Sequence, residues 1–85
     1  MSSLPDSQAR TSQEASREFY VSGLSCGRNG RHEEALNLFT RALDADPDFA
    51  LAWVGRGFAQ GKLGQYEEEI SCCDKALALD PYCID

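Results

Sequence analysis

The sequence repeats with a period of 34 residues: residues 19–49 align with residues 53–83, and nine positions carry the same amino acid in both segments. The identical pairs are Gly23/Gly57, Gly27/Gly61, Gly30/Gly64, Glu33/Glu67, Glu34/Glu68, Ala42/Ala76, Leu43/Leu77, Asp46/Asp80 and Pro47/Pro81. A fixed period of this size is typical of chains built from stacked copies of one supersecondary unit. The sequence therefore predicts a repeat protein.

Each unit has the pattern of two helices separated by a turn. Helical spacing of apolar residues predicts four helices, over residues 12 to 28 or 29, 33–46, 49–63 and 67–80. Thr11 and Glu14 fit a capping box at the start of the first helix, and Gly30 suits the left-handed residue that ends it. Pro47 suits the turn into the third helix, which Asp48 is expected to cap. Four helices joined by short turns predict two antiparallel helix pairs.

Glycines recur inside the first and third predicted helices, as the pairs Gly23/Gly57 and Gly27/Gly61. A glycine inside a helix costs about 1 kcal/mol relative to alanine. Their recurrence at the repeat period predicts that a neighbouring helix backbone approaches closely at these points, where a Cβ would collide. Gly55 has no counterpart, because Val21 stands at that place in the first unit, and the sequence alone does not explain it.

Composition excludes several classes of function. A net charge of −6 and an isoelectric point near 4.6 argue against a nucleic-acid surface, which needs clustered Lys and Arg. No run approaches the roughly 18 apolar residues of a membrane helix, and the N-terminus lacks the pattern of a secretory signal. We therefore expect a cytoplasmic protein that binds neither nucleic acid nor membrane.

The cysteines, the histidine and the candidate catalytic residues show no pattern of a metal site or an active site. The cysteines show no C-x-x-C spacing, and His32 is the single histidine, so neither a metal site nor a cofactor is expected. No Ser/His/Asp set, phosphate-binding loop or pair of catalytic carboxylates is evident. Thiol redox or metal chemistry stays a remote alternative, carried by Cys26, Cys72, Cys73 and Cys83.

The two units resemble tetratricopeptide repeats. The residues that carry the resemblance are the aromatics, small residues and prolines that mark that pattern: Phe19 and Trp53, Gly23 and Gly57, Ala35, Phe39, Ala42 and Ala76, Pro47 and Pro81. The resemblance implies an all-α fold, an α-α superhelix (solenoid) of two antiparallel helix pairs in a right-handed stack. Residues 1–11 would form a flexible lead-in and residues 12–85 a single domain, with repeat one at about 16–49 and repeat two at about 50–83.

Both units depart from this pattern in places: Ser22 and Arg56 stand at the place of its leucine, and Cys26 and Gln60 at the place of its tyrosine. Two further departures lie in the second unit. Cys73 stands at the place of the second aromatic residue, and Glu69 stands where the first unit has Ala35. Burying a carboxylate alone is costly. We expect Glu69 either to turn outward or to pair with Arg56, the alternative being a carboxyl group that loosens the helix pair.

The resemblance implies a protein–protein interaction module, scaffold or adaptor rather than an enzyme. In the family, the first helices of successive repeats line a concave groove that holds a peptide or partner helix. By this analogy the groove residues are Arg17, Tyr20, Leu24, Gly27, Arg28, Leu51, Val54, Phe58, Gly61 and Lys62. The apolar members could instead pack within the array, and cations near a helix C-terminus are favourable without any ligand.

Binding of the acidic tails of chaperones, a known use of the family, is disfavoured. That clamp needs one Lys and two Asn, and Tyr20, Leu24 and Gly55 stand at their places. The last helix also lacks a neighbour that would cover Ile70, Leu77 and part of Cys73. The chain is therefore expected to be the N-terminal piece of a longer array, or to form a homodimer through these residues.

Overall fold

The computed structural model describes residues 11–82, and within that range it contains four α-helices and short turns. They are α1 (Ser12–Arg28), α2 (His32–Ala45), α3 (Ala50–Lys62) and α4 (Tyr66–Leu79). The main contacts are α1 on α2, α3 on α4, and α2 on α3, whereas α4 touches no described helix other than α3. This confirms the predicted all-α stack of two helix pairs. The lead-in, apart from Thr11, and Cys83 lie outside the described residues.

Local sequence signals set the helix ends. At the start of α1, the Glu14 amide donates to Thr11 Oγ1 at 3.1 Å and the Thr11 amide donates to Glu14 Oε1 at 3.0 Å, which confirms the capping box. Gly30 and Gly64 have φ angles of 80° and 83°, a conformation in which a Cβ is strained. Gly30 therefore lets the chain reverse after α1, and Gly64 lets it reverse after α3.

The turn between α2 and α3 is held differently from the prediction. The residue that precedes α3 is Phe49, without a side-chain cap, so the expected capping role of Asp48 is wrong. Instead the Asp48 amide donates to Asp46 Oδ1 at 3.2 Å. The second repeat closes in the same way, with the Tyr82 amide donating to Asp80 Oδ1 at 3.0 Å. The recurring Asp-Pro pair therefore organises the turn from its first residue.

Phe39 is the central side chain of the fold. Its ring is 3% exposed and lies between α1 and α3. A Cβ placed on Gly23 would come within 2.8 Å of the ring, and one placed on Gly55 within 2.7 Å. Gly55 thus has an explanation that the sequence did not offer: it makes room for an aromatic ring supplied by the preceding repeat. At Gly23 the crowding group is likewise a side chain and not the expected helix backbone.

The other helical glycines differ from one another. A Cβ on Gly57 would lie 3.1 Å from the Cβ of Cys72 and 3.2 Å from the carbonyl oxygen of Glu69, so the predicted close approach of two helices holds there. At Gly27 the prediction is wrong, because nothing lies within 4 Å of the position of a Cβ. Gly61 instead faces the Glu69 side chain.

A buried serine joins the two helices of the first repeat. Ser16 is fully buried on α1, and its Oγ donates to the carbonyl oxygen of Ala42 at 2.7 Å. The bond satisfies a hydroxyl group that would otherwise be costly to bury. This contact was not predictable from the sequence, because serine is found mostly on protein surfaces.

Candidate functional site

A cavity of about 600 Å³ lies between α1 and α3, with part of α2 as its floor. Its lining includes three pairs of residues at equivalent positions of the two repeats, each pair four residues further along both helices: Tyr20/Val54, Leu24/Phe58 and Arg28/Lys62. Four residues advance a helix by about 6 Å, so the pairs form successive levels along the groove. Two apolar levels are followed by one cationic level.

The apolar levels combine packing with exposure. Tyr20 and Leu24 are half-buried against the core, and the Tyr20 ring centre lies 5.8 Å from that of Phe39 and 5.1 Å from that of Phe49. Burial raises the pKa of the Tyr20 hydroxyl above its usual range. Phe58 is different, because 57% of its surface is exposed. The alternative that the apolar groove residues pack inside the array therefore holds in part for Tyr20 and Leu24, but it does not hold for Phe58.

The cationic level has no acidic neighbour in the cavity wall. Arg28, Lys62 and His32 line this end, and no Asp or Glu does. The Lys62 Nζ lies 5.1 Å from the centre of the Phe58 ring, within range of a cation–π contact. Within residues 11–82, neither Arg28 nor Lys62 forms an ion pair. The buried Nδ1 of His32 likewise has no hydrogen-bond partner in that part of the chain.

Not every predicted groove residue reaches this cavity. Arg17 lines a separate depression of about 130 Å³ with Gln13, Asp46 and Phe49. Leu51, 42% exposed, lies on α3 outside the cavity. Gly27 lines the cavity, whereas Gly61 does not. The rest of the lining comes from residues outside the predicted groove set: Gly23, Gly30, His32, Ala35, Phe39, Gly55 and Ala59.

Glu69 is half-buried, and its carboxylate lies over the backbone of α3. Its carboxylate covers Gly61, where an added Cβ would lie 2.5 Å from Oε1 and 2.9 Å from Oε2. No ion pair joins it to Arg56 among the described residues. The Arg56 guanidinium lies 5.7 Å from the centre of the Trp53 ring, and the Lys75 ammonium lies 5.9 Å from the same ring. Glu69 therefore fits the helix pair because Gly61 has no side chain.

The outer side of α4 carries an apolar stripe. Tyr66 is 65% exposed, Ile70 62% and Leu77 43%, and Cys73 is half-buried beside them. These residues are spaced at three or four positions, so they lie along one side of the helix. The predicted self-association face is therefore partly accessible to solvent in the single chain: Ile70 and Leu77 are exposed, and Cys73 is half-buried.

Cys72 is the deeply buried thiol of the second repeat, whereas its neighbour Cys73, which stands at the place of the pattern's aromatic residue, is half-buried. Cys72 is 4% exposed, and its Sγ donates to Gln60 Oε1 at 3.1 Å. Burial raises the pKa of the Cys72 thiol, and the nearby Arg56 charge opposes part of that effect. A raised pKa leaves less reactive thiolate at neutral pH.

The Cys72 thiol should make stability fall in mildly alkaline solution. The folded chain holds the thiol proton more tightly than the unfolded chain, in which the pKa of a cysteine thiol is about 8.5. The contribution of the protonated Cys72 thiol to the free energy of unfolding is therefore complete below about pH 8.5, and it declines as the pH rises toward the pKa of the folded chain. Urea unfolding at about pH 7.5 and about pH 9.3 should show the decline, and Cys72→Ala should reduce it. An equal decline in both proteins would contradict the assignment.

Metal and membrane features are not found in the described part of the chain. Across residues 11–82, no three His, Cys, Asp or Glu side chains come together in a way that could hold a metal ion. None of the four described helices combines the length and apolar character needed to cross a membrane.

A comparison with known families identifies the class. The sequence profile of the tetratricopeptide repeat matches residues 20–82, which is most of the chain. The chain belongs to the tetratricopeptide repeat family. Members of this family bind proteins or peptides, so the chain is a protein–protein interaction module.

Relatives occur in archaea and eukaryotes. An uncharacterized protein of Methanocaldococcus jannaschii is 33% identical over 64 residues, covering 75% of this chain and 74% of the relative. The small glutamine-rich tetratricopeptide repeat-containing protein 2 of Saccharomyces cerevisiae is 26% identical over 78 residues, covering 92% of this chain but 22% of that protein. Sperm-associated antigen 1 of Mus musculus is 42% identical over 53 residues, covering 62% of this chain and 6% of that protein. The chain thus spans only a small share of the two eukaryotic relatives.

Proposed function

We propose that the chain acts as an adaptor that captures a peptide or helix of another protein in the cavity between α1 and α3. The observation that carries the proposal is Phe58, a large aromatic side chain that is 57% exposed on the wall of a cavity of about 600 Å³. Aromatic side chains of this kind are the common anchors of protein interfaces, because they bury much area with few rotatable bonds. Leu24 and Val54 complete the apolar wall.

Replacement of Phe58 by aspartate should weaken partner binding at least about tenfold, which corresponds to about 1.4 kcal/mol. The probe is a peptide selected from a displayed random library on the wild-type chain, with affinity measured by calorimetry. Phe58 suits this test better than Leu24, because Leu24 also packs against the core and its loss would disturb the fold.

Leu51→Asp is the matched control for the Phe58 variant. Leu51 is also an apolar residue of α3, 42% exposed, but it lies outside the cavity. Its replacement should leave peptide affinity within about twofold of wild type. Circular dichroism would establish that both variants keep their helices. Equal loss of binding in the two variants would contradict a site confined to the cavity.

A second function, self-assembly, rests on the stripe along α4. Ile70 and Leu77 are 62% and 43% exposed and lie with Cys73 on one side of a helix whose other side packs on α3. Two copies that cover each other's stripes would remove this surface from water, at about 25 cal/mol for each Å² buried. Light scattering across concentration should then show a dimer, and Ile70→Asp should return it to a monomer. A wild-type chain that stays monomeric at high concentration would argue against this function.

A further inference from the structure

The cavity contains an open space whose equivalent in the second repeat is occupied. Gly27 and Gly61 are equivalent positions, 34 residues apart. Over Gly61 lies the carboxylate of Glu69, but over Gly27 there is nothing within 4 Å of the position of a Cβ. The difference arises because Ala35 stands in the first repeat where Glu69 stands in the second. The same backbone surface is therefore filled by a carboxylate in one repeat and left empty in the other.

The empty place is the one that lies in the cavity. Gly27 and Ala35 both line it, beside the cationic level formed by Arg28 and Lys62. His32 lies at the same end and begins α2, whose start no side chain caps. The start of a helix favours negative charge. The acidic residues of that first turn, Glu33 and Glu34, are exposed and do not line the cavity.

We propose that the cavity selects a partner segment carrying an acidic side chain, whose carboxylate occupies the space over Gly27 beside Arg28 and Lys62. This inference rests on the proposed peptide-capturing function and adds the chemistry of the ligand. The chain itself carries a net charge of −6, so a cation-lined end without a carboxylate is a local exception to its overall charge. An acidic ligand would complement that end.

The geometry also sets the spacing of the ligand. The Leu24/Phe58 level and the Arg28/Lys62 level are one step apart, about 6 Å along the helices. An extended peptide advances about 3.3 Å per residue and a helix about 1.5 Å. The segment should therefore carry a large apolar side chain with Asp or Glu two to four residues away.

A displayed library of random peptides, with both ends of each segment internal to the display protein, tests the motif. The expected result is enrichment of an apolar residue with an acidic residue at that spacing. A selected peptide and its Glu→Gln or Asp→Asn form, both with blocked termini, are then compared on the wild-type chain. The acidic form should bind about fivefold to tenfold more tightly in low salt, and the difference should shrink as salt is added.

Two matched pairs of variants locate the effect in the cavity. Gly27→Asp and Gly27→Asn place side chains of the same size in the open space, and only the aspartate should repel the acidic peptide, by about tenfold relative to the asparagine variant. Lys62→Glu and Arg41→Glu change the net charge equally, but Arg41 is exposed on α2 outside the cavity. Only Lys62→Glu should lose the preference for the acidic peptide.

The outcomes separate this inference from the function on which it rests. Peptides that depend on Phe58 but bind equally well in acidic and amide forms would overturn the carboxylate site and leave the groove in place. Equal effects of Lys62→Glu and Arg41→Glu would overturn it as well, because they would show a general charge effect. Failure to select any peptide that depends on Phe58 would overturn both.

Discussion

A Phe39→Ala variant is expected to lose about 3–5 kcal/mol of unfolding free energy, the usual cost of removing a buried aromatic ring. The ring is 3% exposed and lies between Gly23 and Gly55, neither of which has a side chain that could move into the space. The loss would be a large share of the roughly 5–15 kcal/mol that a natural domain has. Urea unfolding followed by circular dichroism would measure it.

The equivalent position of the second repeat supplies the control. Cys73 lies 34 residues after Phe39 and is only half-buried, beside the exposed stripe of α4. Cys73→Ala should therefore cost less than about 1 kcal/mol. If the two variants lost similar stability, Phe39 would not be the residue that joins the repeats. Loss of the ring should also widen the peptide cavity, of which Phe39 is part of the floor.

The second large effect is a contrast between two glycines that look alike in sequence. Gly55→Ala places a Cβ 2.7 Å from the Phe39 ring, so the buried ring must shift, which costs about 1–3 kcal/mol. Gly27→Ala meets no neighbouring atom within 4 Å and should gain up to about 1 kcal/mol from the better helix propensity of alanine, less than at a central position because Gly27 lies in the last turn of α1. The two substitutions are chemically identical, and both lie within helices, Gly55 in the middle of α3 and Gly27 in the last turn of α1.

Thermal and urea unfolding of the two variants would measure these opposite signs. The expected order of midpoints is Gly27→Ala above wild type and Gly55→Ala below it. A stabilised Gly55→Ala variant would show that the ring adapts without cost, and would remove the steric explanation for Gly55. Gly27→Ala should also keep its binding of peptides that carry no acidic residue, since a methyl group occupies little of the cavity.

The helices and turns could be predicted because they depend on residues that are close together in the sequence. The helices, the Thr11 capping box, and the left-handed Gly30 and Gly64 depend on residues within a few positions of each other, so the sequence carries their signals directly. The family resemblance added which helices would line a groove. For Tyr20, Leu24, Arg28, Val54, Phe58 and Lys62, the structure places the side chains around one cavity.

Contacts between distant residues were not predictable in the same way. Arg17 and Leu51 lie on α1 and α3 as predicted, yet neither lines the cavity, and Arg17 lines a separate depression. Cys72 and Cys73 are neighbours in sequence, and only the rotation of α4 against α3 decides that Cys72 is the buried one. The position of Glu69 likewise depends on the absence of a side chain eight residues earlier, on another helix.

The sequence by itself determined the period, the four helices and the turns that join them, since these follow from spacing and from glycine and proline conformations. The tertiary structure decided which glycine accommodates the ring of Phe39, which cysteine is buried, and which carboxylate fills the space over Gly61 while the space over Gly27 stays open. The physical reason is that packing is a relation between helices: the effect of a side chain depends on the atoms that face it, and the chain brings those atoms together only when it folds.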